Sequence, residues 1–244
     1  MENTIPLAVN GFIATLNNMG FMTESVDEYT QEFISFACQQ NDGLPLELGA
    51  AYGLASREIV KHGKTVITND LDVRHLNLFK STLPEKQQQL VTLMPGDIVK
   101  GLPITKKTLS SVLSCRVFHF FTGDILIGIL NEIYEWLIPG GQIFIITETP
   151  YLKNFSSFLP IFEKRKCEGF KFPGEVYNVF ENDPIRGASL PPMMHFFDAD
   201  TISALVKSVG FEILKCNTFA RPEFPVDIRL DGRESVGLVG RKPL

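Results

Sequence analysis

The sequence predicts an α/β fold: a doubly wound, mostly parallel sheet of seven strands with helices on both faces, plus an inserted helical lid. Three observations predict it. Short apolar runs alternate with amphipathic stretches of helical length, the pattern of a parallel sheet covered on both sides. Glycine and acidic residues stand where the runs end, which is where such a sheet binds ligands. The 244 residues, 44% hydrophobic and 21% charged, suffice for one full core without disulfides or structural metals.

Residues 1 to about 40 are expected to be helical, because Tyr29, Phe33, Ile34, Phe36 and Ala37 recur at helix-like spacing. The turn Asn41-Asp42-Gly43 leads into a first strand at 44–50, a short apolar run suited to a buried parallel strand. A helix follows over 52–63, with Gly63 at its C-cap. TVITNDLD opens a second strand, and the helix over 73–89 breaks at Pro84. LVTLMPGD is the third strand and its turn, and a fourth strand lies near 111–115. An amphipathic helix from 124 is closed by Pro139, Gly140 and Gly141, and GQIFIITETP is the fifth strand. A late helix at 198–210 takes Asp198 or Asp200 as its N-cap. FEILKCNTF and SVGLVGRK are the last two strands. The chain thus divides into a cap at 1–40, a core at 41–149, an insertion at 150–197 and the end of the core sheet at 198–244.

Composition excludes several classes of function. The net charge is -5, and the one tight basic run, Lys164, Arg165 and Lys166, reads as a solvated helix face. A nucleic-acid partner is not expected. Cys38, Cys115, Cys167 and Cys216 are far apart, with no CxxC and no histidine at ligand spacing, so no metal site is expected. Scattered single cysteines suit a reducing compartment. The first residues lack a secretory pattern, and no apolar run reaches bilayer length. A cytoplasmic protein without membrane contact is the expectation.

The first strand ends in LELGAAYG. Gly49 and Gly53 frame a tight turn into a helix, and glycine there admits positive φ and close approach of a ligand to the backbone. Glu47 stands two residues before Gly49. The dinucleotide fingerprint needs glycine at 51, where this chain has Ala51, and no Gly-Lys-Ser/Thr follows to cradle phosphate. The turn therefore suits a nucleoside without phosphate and disfavours a nicotinamide-dependent oxidoreductase. Asp70 ends the second strand, 21 residues after Gly49; an acid at that distance reaches a ribose diol. Asp72 is the rival acid, read as the N-cap of the next helix. The third strand ends in PGDIV, where Asp97 can accept a hydrogen bond from an exocyclic amine and Ile98 offers an apolar contact to a ring.

The ordered set of E-x-G-x-x-x-G from Glu47, an acid at 70, Gly96-Asp97 and LIPGGQIFI at 137–145 resembles the class I S-adenosylmethionine-dependent methyltransferase family, with its Rossmann-like sheet. The resemblance covers about residues 40–149, with a weaker match over 196–240. It implies S-adenosyl-L-methionine as cofactor and S-adenosyl-L-homocysteine as product. It implies that Glu47, Gly49, Ala50 and Gly53 line the methionine end, and that Asp70 holds the ribose with Leu71 against the adenine. Asp97 and Ile98 would hold the adenine edge and face. Ser114, Cys115 and Arg116 would lie under the methionine, and Tyr29 would reach its carboxylate from the N-terminal helix. The fourth strand runs on into SCRVFHFF, without the Asp, Asn or Asn-Pro-Pro-Tyr that many members carry there. That departure disfavours amine methylation of nucleobases and resembles the small-molecule branch.

Methyl transfer from a sulfonium is an in-line displacement, and alignment of the reactants can contribute about 7–11 kcal/mol. His119 is the candidate general base where the nucleophile carries a proton; the alternative is a histidine packed among Val117, Phe118, Phe120 and Phe121. The insertion at 150–197 is long for a connection and dense in phenylalanine, as befits either a lid over an apolar pocket or a docking surface. Tyr151, Arg186 and His195 are its candidate substrate-binding residues, Arg186 suiting a carboxylate. A small-molecule acceptor is expected. A methyltransferase acting on protein and a non-catalytic S-adenosylmethionine-binding or interaction domain are the other two readings.

Overall fold

In the computed structural model, which describes residues 4–9, 11–187 and 190–244, the seven expected strands pair into one sheet. The chain opens with a hairpin of β1 (Phe12–Ala14) and β2 (Phe21–Thr23), then α1 (Glu28–Gln39). The core follows as β3 (Leu44–Leu48), α2 (Leu54–Lys61), β4 (Val66–Asp70), α3 (Val73–Ser81), α4 (Glu85–Gln88), β5 (Val91–Pro95), β6 (Leu109–Cys115), α5 (Gly123–Trp136) and β7 (Leu137–Glu148). The insertion holds α6 (Leu159–Cys167), β8 (Glu175–Val176), α7 (Val179–Asn182) and β9 (Met194–His195). The chain closes with α8 (Ala199–Ser208), β10 (Glu212–Phe219) and β11 (Ser235–Arg241).

The sheet order is β10-β11-β7-β6-β3-β4-β5. Strands β3 to β7 pair in parallel, while β11 runs antiparallel to both its neighbours. The chain steps outward from β3 to β4 and β5, then crosses back to β6 on the other side of β3. That reversal opens a crevice at the carboxyl ends of β3 and β6, where open α/β sheets bind ligands.

Both faces are covered because alternate strand residues point to opposite sides. On one face Leu46, Val112, Ile143 and Leu238 pack against Leu126, Leu130 and Ile133 of α5 and Ile202 and Val206 of α8. On the other, Leu113, Phe144 and Ile146 pack against Phe33 of α1, Ile59 of α2 and Phe79 of α3. Side-chain caps fix where helices begin: Asp27 accepts from Thr30 N at α1, and Asp198 forms a capping box with Thr201 at α8. Among the described residues no helix is long and apolar enough to cross a membrane.

Two expectations need correction. The helix expected from residue 1 to about 40 is confined to Glu28–Gln39. Ahead of it Asn18 at φ +54 and Gly20 at φ +132 turn the chain into the β1–β2 hairpin, with Phe12 opposite Thr23. The insertion is less helical than expected: it pairs β8 with β9 and packs Phe155, Phe158, Phe162 and Phe196 with Phe224 and Ile228 into a separate apolar cluster. Phe170, Tyr177 and Phe180 are exposed. The break at Pro84 is where it was expected, between α3 and α4.

Candidate active site

A cleft of about 280 Å³ opens over the carboxyl ends of β3, β4, β5 and β6. Its floor is the turn from β3 into α2. Gly49 sits there at φ +64, and a β-carbon would lie 2.4 Å from Val117 Cγ2, so no other residue fits without displacing Val117. Ala51 is held at φ +46, in the left-handed region that costs a non-glycine residue about 1–2 kcal/mol. Glu47 lines the cleft, but its buried carboxylate accepts from Ala55 N (3.2 Å) and Ser56 N (2.7 Å). It thereby anchors the start of α2, and burial raises its pKa.

Asp70 ends β4 and faces the cleft. Its Oδ2 accepts from Ala51 N (2.8 Å), and its Oδ1 accepts from Asp72 N (2.8 Å) and lies 3.0 Å from His75 Nδ1. His75 Nε2 accepts from Leu16 N at 2.9 Å. The imidazole proton therefore sits on Nδ1 and is donated to Asp70. One lone pair on Asp70 Oδ2 stays free for a ligand hydroxyl. Asp72 caps α3 through Arg74 N, as expected. Leu71 and Ile98 offer apolar surface to the cleft, and Asp97, which accepts from Val99 N at 3.0 Å, stands beside them. Gly49, Ala50, Cys115 and Arg116 complete the set of expected cofactor residues that line this cleft.

The match to known proteins follows this geometry. Residues 46–145 match the family model described as a methyltransferase domain. The core that carries the cleft is thus similar to methyltransferase domains over less than half of the chain. An uncharacterized methyltransferase from Oceanobacillus iheyensis is 24% identical over 120 residues, 49% of this chain and 54% of that protein. The chain thus spans about half the length of the curated relative it matches. A solved S-adenosylmethionine-dependent methyltransferase from Methanosarcina mazei superposes with a TM-score of 0.65 at 16% identity, over 90% of this chain and 99% of that one. A methyltransferase-like chain solved in complex with the Trm112 methyltransferase activator of Haloferax volcanii gives 0.59 at 16%, over 88% and 89%.

Three residues expected to bind the cofactor lie away from the cleft. Tyr29 is fully buried between α1 and the sheet, where a β-carbon on Gly237 would strike its ring. Its hydroxyl accepts from Asn217 N at 3.1 Å, and its neighbour Thr30 lines the cleft instead. Gly53, at φ +66, is packed against Phe79 on the far side of the turn. Ser114 is buried in the sheet and does not reach the cleft.

Two contributions escaped sequence reasoning. The hairpin roofs the cleft with Thr15, Asn17, Met19, Phe21 and Met22, and Tyr52 ties it down through its hydroxyl to Ala14 O at 3.0 Å. His75 links that roof to Asp70. Its signal was its place on the buried face of α3, one turn before Phe79.

A side chamber of about 70 Å³ adjoins the cleft and shares Phe21, Arg116 and Phe120 with it. Arg116 stands at φ +60, donates from Nε to Glu148 Oε1 at 2.7 Å, and lies over the rings of Phe224 (5.0 Å) and Phe12 (5.6 Å). Burial pushes the Cys115 thiol up to about 12, which removes it as a thiolate nucleophile at neutral pH. His119 lines the chamber rather than the cleft, edge-on to Phe120 at 4.1 Å and with Nδ1 3.5 Å from Thr147 Oγ1. Burial, with Arg116 nearby, holds it well below the usual histidine range, so it is neutral. Arg186 also lines the chamber, donating to Asp227 at 2.8 Å.

The remaining two substrate expectations are corrected. Tyr151 bonds to Glu163 Oε1 at 3.2 Å beneath the Arg233 guanidinium and lines neither space. His195 lies behind the cleft wall, with Nδ1 3.3 Å from Phe121 O and its ring on Phe197 at 3.9 Å. Burial brings it down to about 4, and it faces a separate groove with Phe172 and Lys166.

Proposed function

We propose that the protein transfers the methyl group of S-adenosylmethionine to a small molecule seated in the side chamber. The observation that carries this reading is the shared boundary of Phe21, Arg116 and Phe120 between a cofactor-sized cleft and a smaller side chamber. Leu152, Phe155 and Met194 of the insertion wall that chamber, which favours a lid over a docking surface for that segment.

The bound cofactor supplies a methyl group made electrophilic by its sulfonium. The residues of this chain bind and orient the reactants. Asp70 takes a ribose hydroxyl on its free lone pair, Leu71 and Ile98 take the adenine faces, and Asp97 takes its amine edge. Glu47 fixes the turn so that the backbone of Gly49 and Ala50 faces the methionine part. The hairpin excludes water. His119, neutral across the physiological range, accepts a proton from an acceptor hydroxyl or amine in the chamber.

Calorimetric titration tests the reading. Wild-type protein is expected to bind S-adenosylmethionine at micromolar concentration and not NAD, and Asp70→Asn is expected to weaken binding by about tenfold. Absence of S-adenosylmethionine binding would remove the proposal. Once an acceptor is in hand, kcat should stay flat as pH falls from 8 to 6, because His119 is already neutral there. A limb centred near 6.5 would assign the proton transfer to another group.

A further inference from the structure

We infer that the side chamber takes a small aromatic acid, its carboxylate anchored on Arg116 and Arg186 and a hydroxyl or amine of the same molecule meeting Asn154. The inference rests on reading the chamber as the acceptor site of a methyltransferase. Arg116 Nη1, Arg186 Nη1 and Asn154 Oδ1 are all buried without a hydrogen-bond partner, and all three residues line this one chamber. A buried polar atom left unpaired costs about 1–3 kcal/mol, and three around one space mark it as built for a polar guest.

Each side chain is anchored through another of its groups, which holds the free edges in place. Arg116 spends Nε on Glu148, and Arg186 spends Nη2 on Asp227. Asn154 donates from Nδ2 to Asp183 Oδ2 at 2.8 Å, which fixes the amide orientation and leaves Oδ1 asking for a donor. Arg116 Nη1 has no acceptor, and Arg186 Nη1 lies 3.6 Å from Asp183 Oδ2, beyond hydrogen-bond distance, so both guanidinium edges can still donate a hydrogen bond to a carboxylate guest. Glu148 also borders the chamber, and its oxygens are partnered by Arg116 Nε and Ser235 Oγ. Phe12, Phe155 and Phe224 supply the apolar wall for a ring. Arg116 keeps a left-handed backbone at φ +60, a strain that persists where the surroundings enforce a particular placement.

The test is a calorimetric series in the presence and absence of S-adenosylhomocysteine. The probes are 4-hydroxybenzoate and 4-aminobenzoate, with benzoate and the matching carboxamides as controls. The acids are expected to bind, the carboxamides at least about tenfold more weakly, and benzoate more weakly than its substituted forms. Arg186→Gln is expected to weaken the acids about tenfold and leave the affinity for S-adenosylhomocysteine unchanged; Arg116→Lys, which keeps the charge but loses the fork, should act the same way on the acids. Equal binding of acids and carboxamides, or no binding of the acids to protein that holds S-adenosylhomocysteine, would overturn the inference. If S-adenosylhomocysteine itself fails to bind, the cofactor reading falls, and the acid series on the unloaded protein still decides the chamber.

Discussion

At Gly49 a β-carbon would meet Val117 Cγ2 at 2.4 Å on a backbone already at φ +64. Gly49→Ala is therefore expected to lower stability by about 2–4 kcal/mol in urea unfolding. Adding Val117→Ala should return part of that loss, since it removes the clash and leaves the backbone strain; strictly additive losses would contradict the contact. Asp72 carries a pH-dependent contribution. Its hydrogen bonds from Arg74 hold the carboxyl at about 2, below the ordinary value near 3.8. The folded value lies below the unfolded one, so the stabilisation is present above about pH 4 and is lost as pH falls toward 2. Asp72→Ala should cost about 1 kcal/mol at neutral pH, and its stability curve should converge on the wild type between pH 4 and 2. The glycine turn, Asp70, Asp97 and Ile98 were legible because they stand at strand ends, where the sheet itself brings them together. Tyr29 was not: helical periodicity marks the buried face of α1 but does not distinguish a core tyrosine under Gly237 from a ligand contact.

The strands of the main sheet were legible as elements because each is an apolar run bounded by turn signals. The hairpin was not, since strands of three residues are too short to display a period of two. The same shortness hid β8 and β9 in the insertion. Yet the hairpin supplies the cleft roof, and His75 joins it to Asp70 through Leu16 N. His75→Leu is expected to raise amide exchange in the 15–20 turn by at least about tenfold and to weaken S-adenosylmethionine binding by a similar factor. Unchanged exchange in that turn would show that the hairpin is held without His75.

At the scale of the whole molecule, the order β10-β11-β7-β6-β3-β4-β5 puts one crevice between the outward run to β5 and the return to β6. In the proposed function, the nucleoside-facing residues come from the ends of β3, β4 and β5. The proposed acceptor side comes from the hairpin, the end of β6, the insertion and the loop before β11, with Arg116 between it and the cleft. The division explains why the cleft residues were more legible in the sequence than the chamber residues: the former lie on a repeated strand-end pattern, the latter on irregular segments packed together only in the fold. The most direct test is a crystal structure with S-adenosylhomocysteine. The expected result places a ribose hydroxyl on Asp70, the adenine between Leu71 and Ile98, and the thioether sulfur at the opening framed by Phe21, Arg116 and Phe120. A ligand bound outside this cleft, or one whose ribose makes no contact with Asp70, would contradict the account.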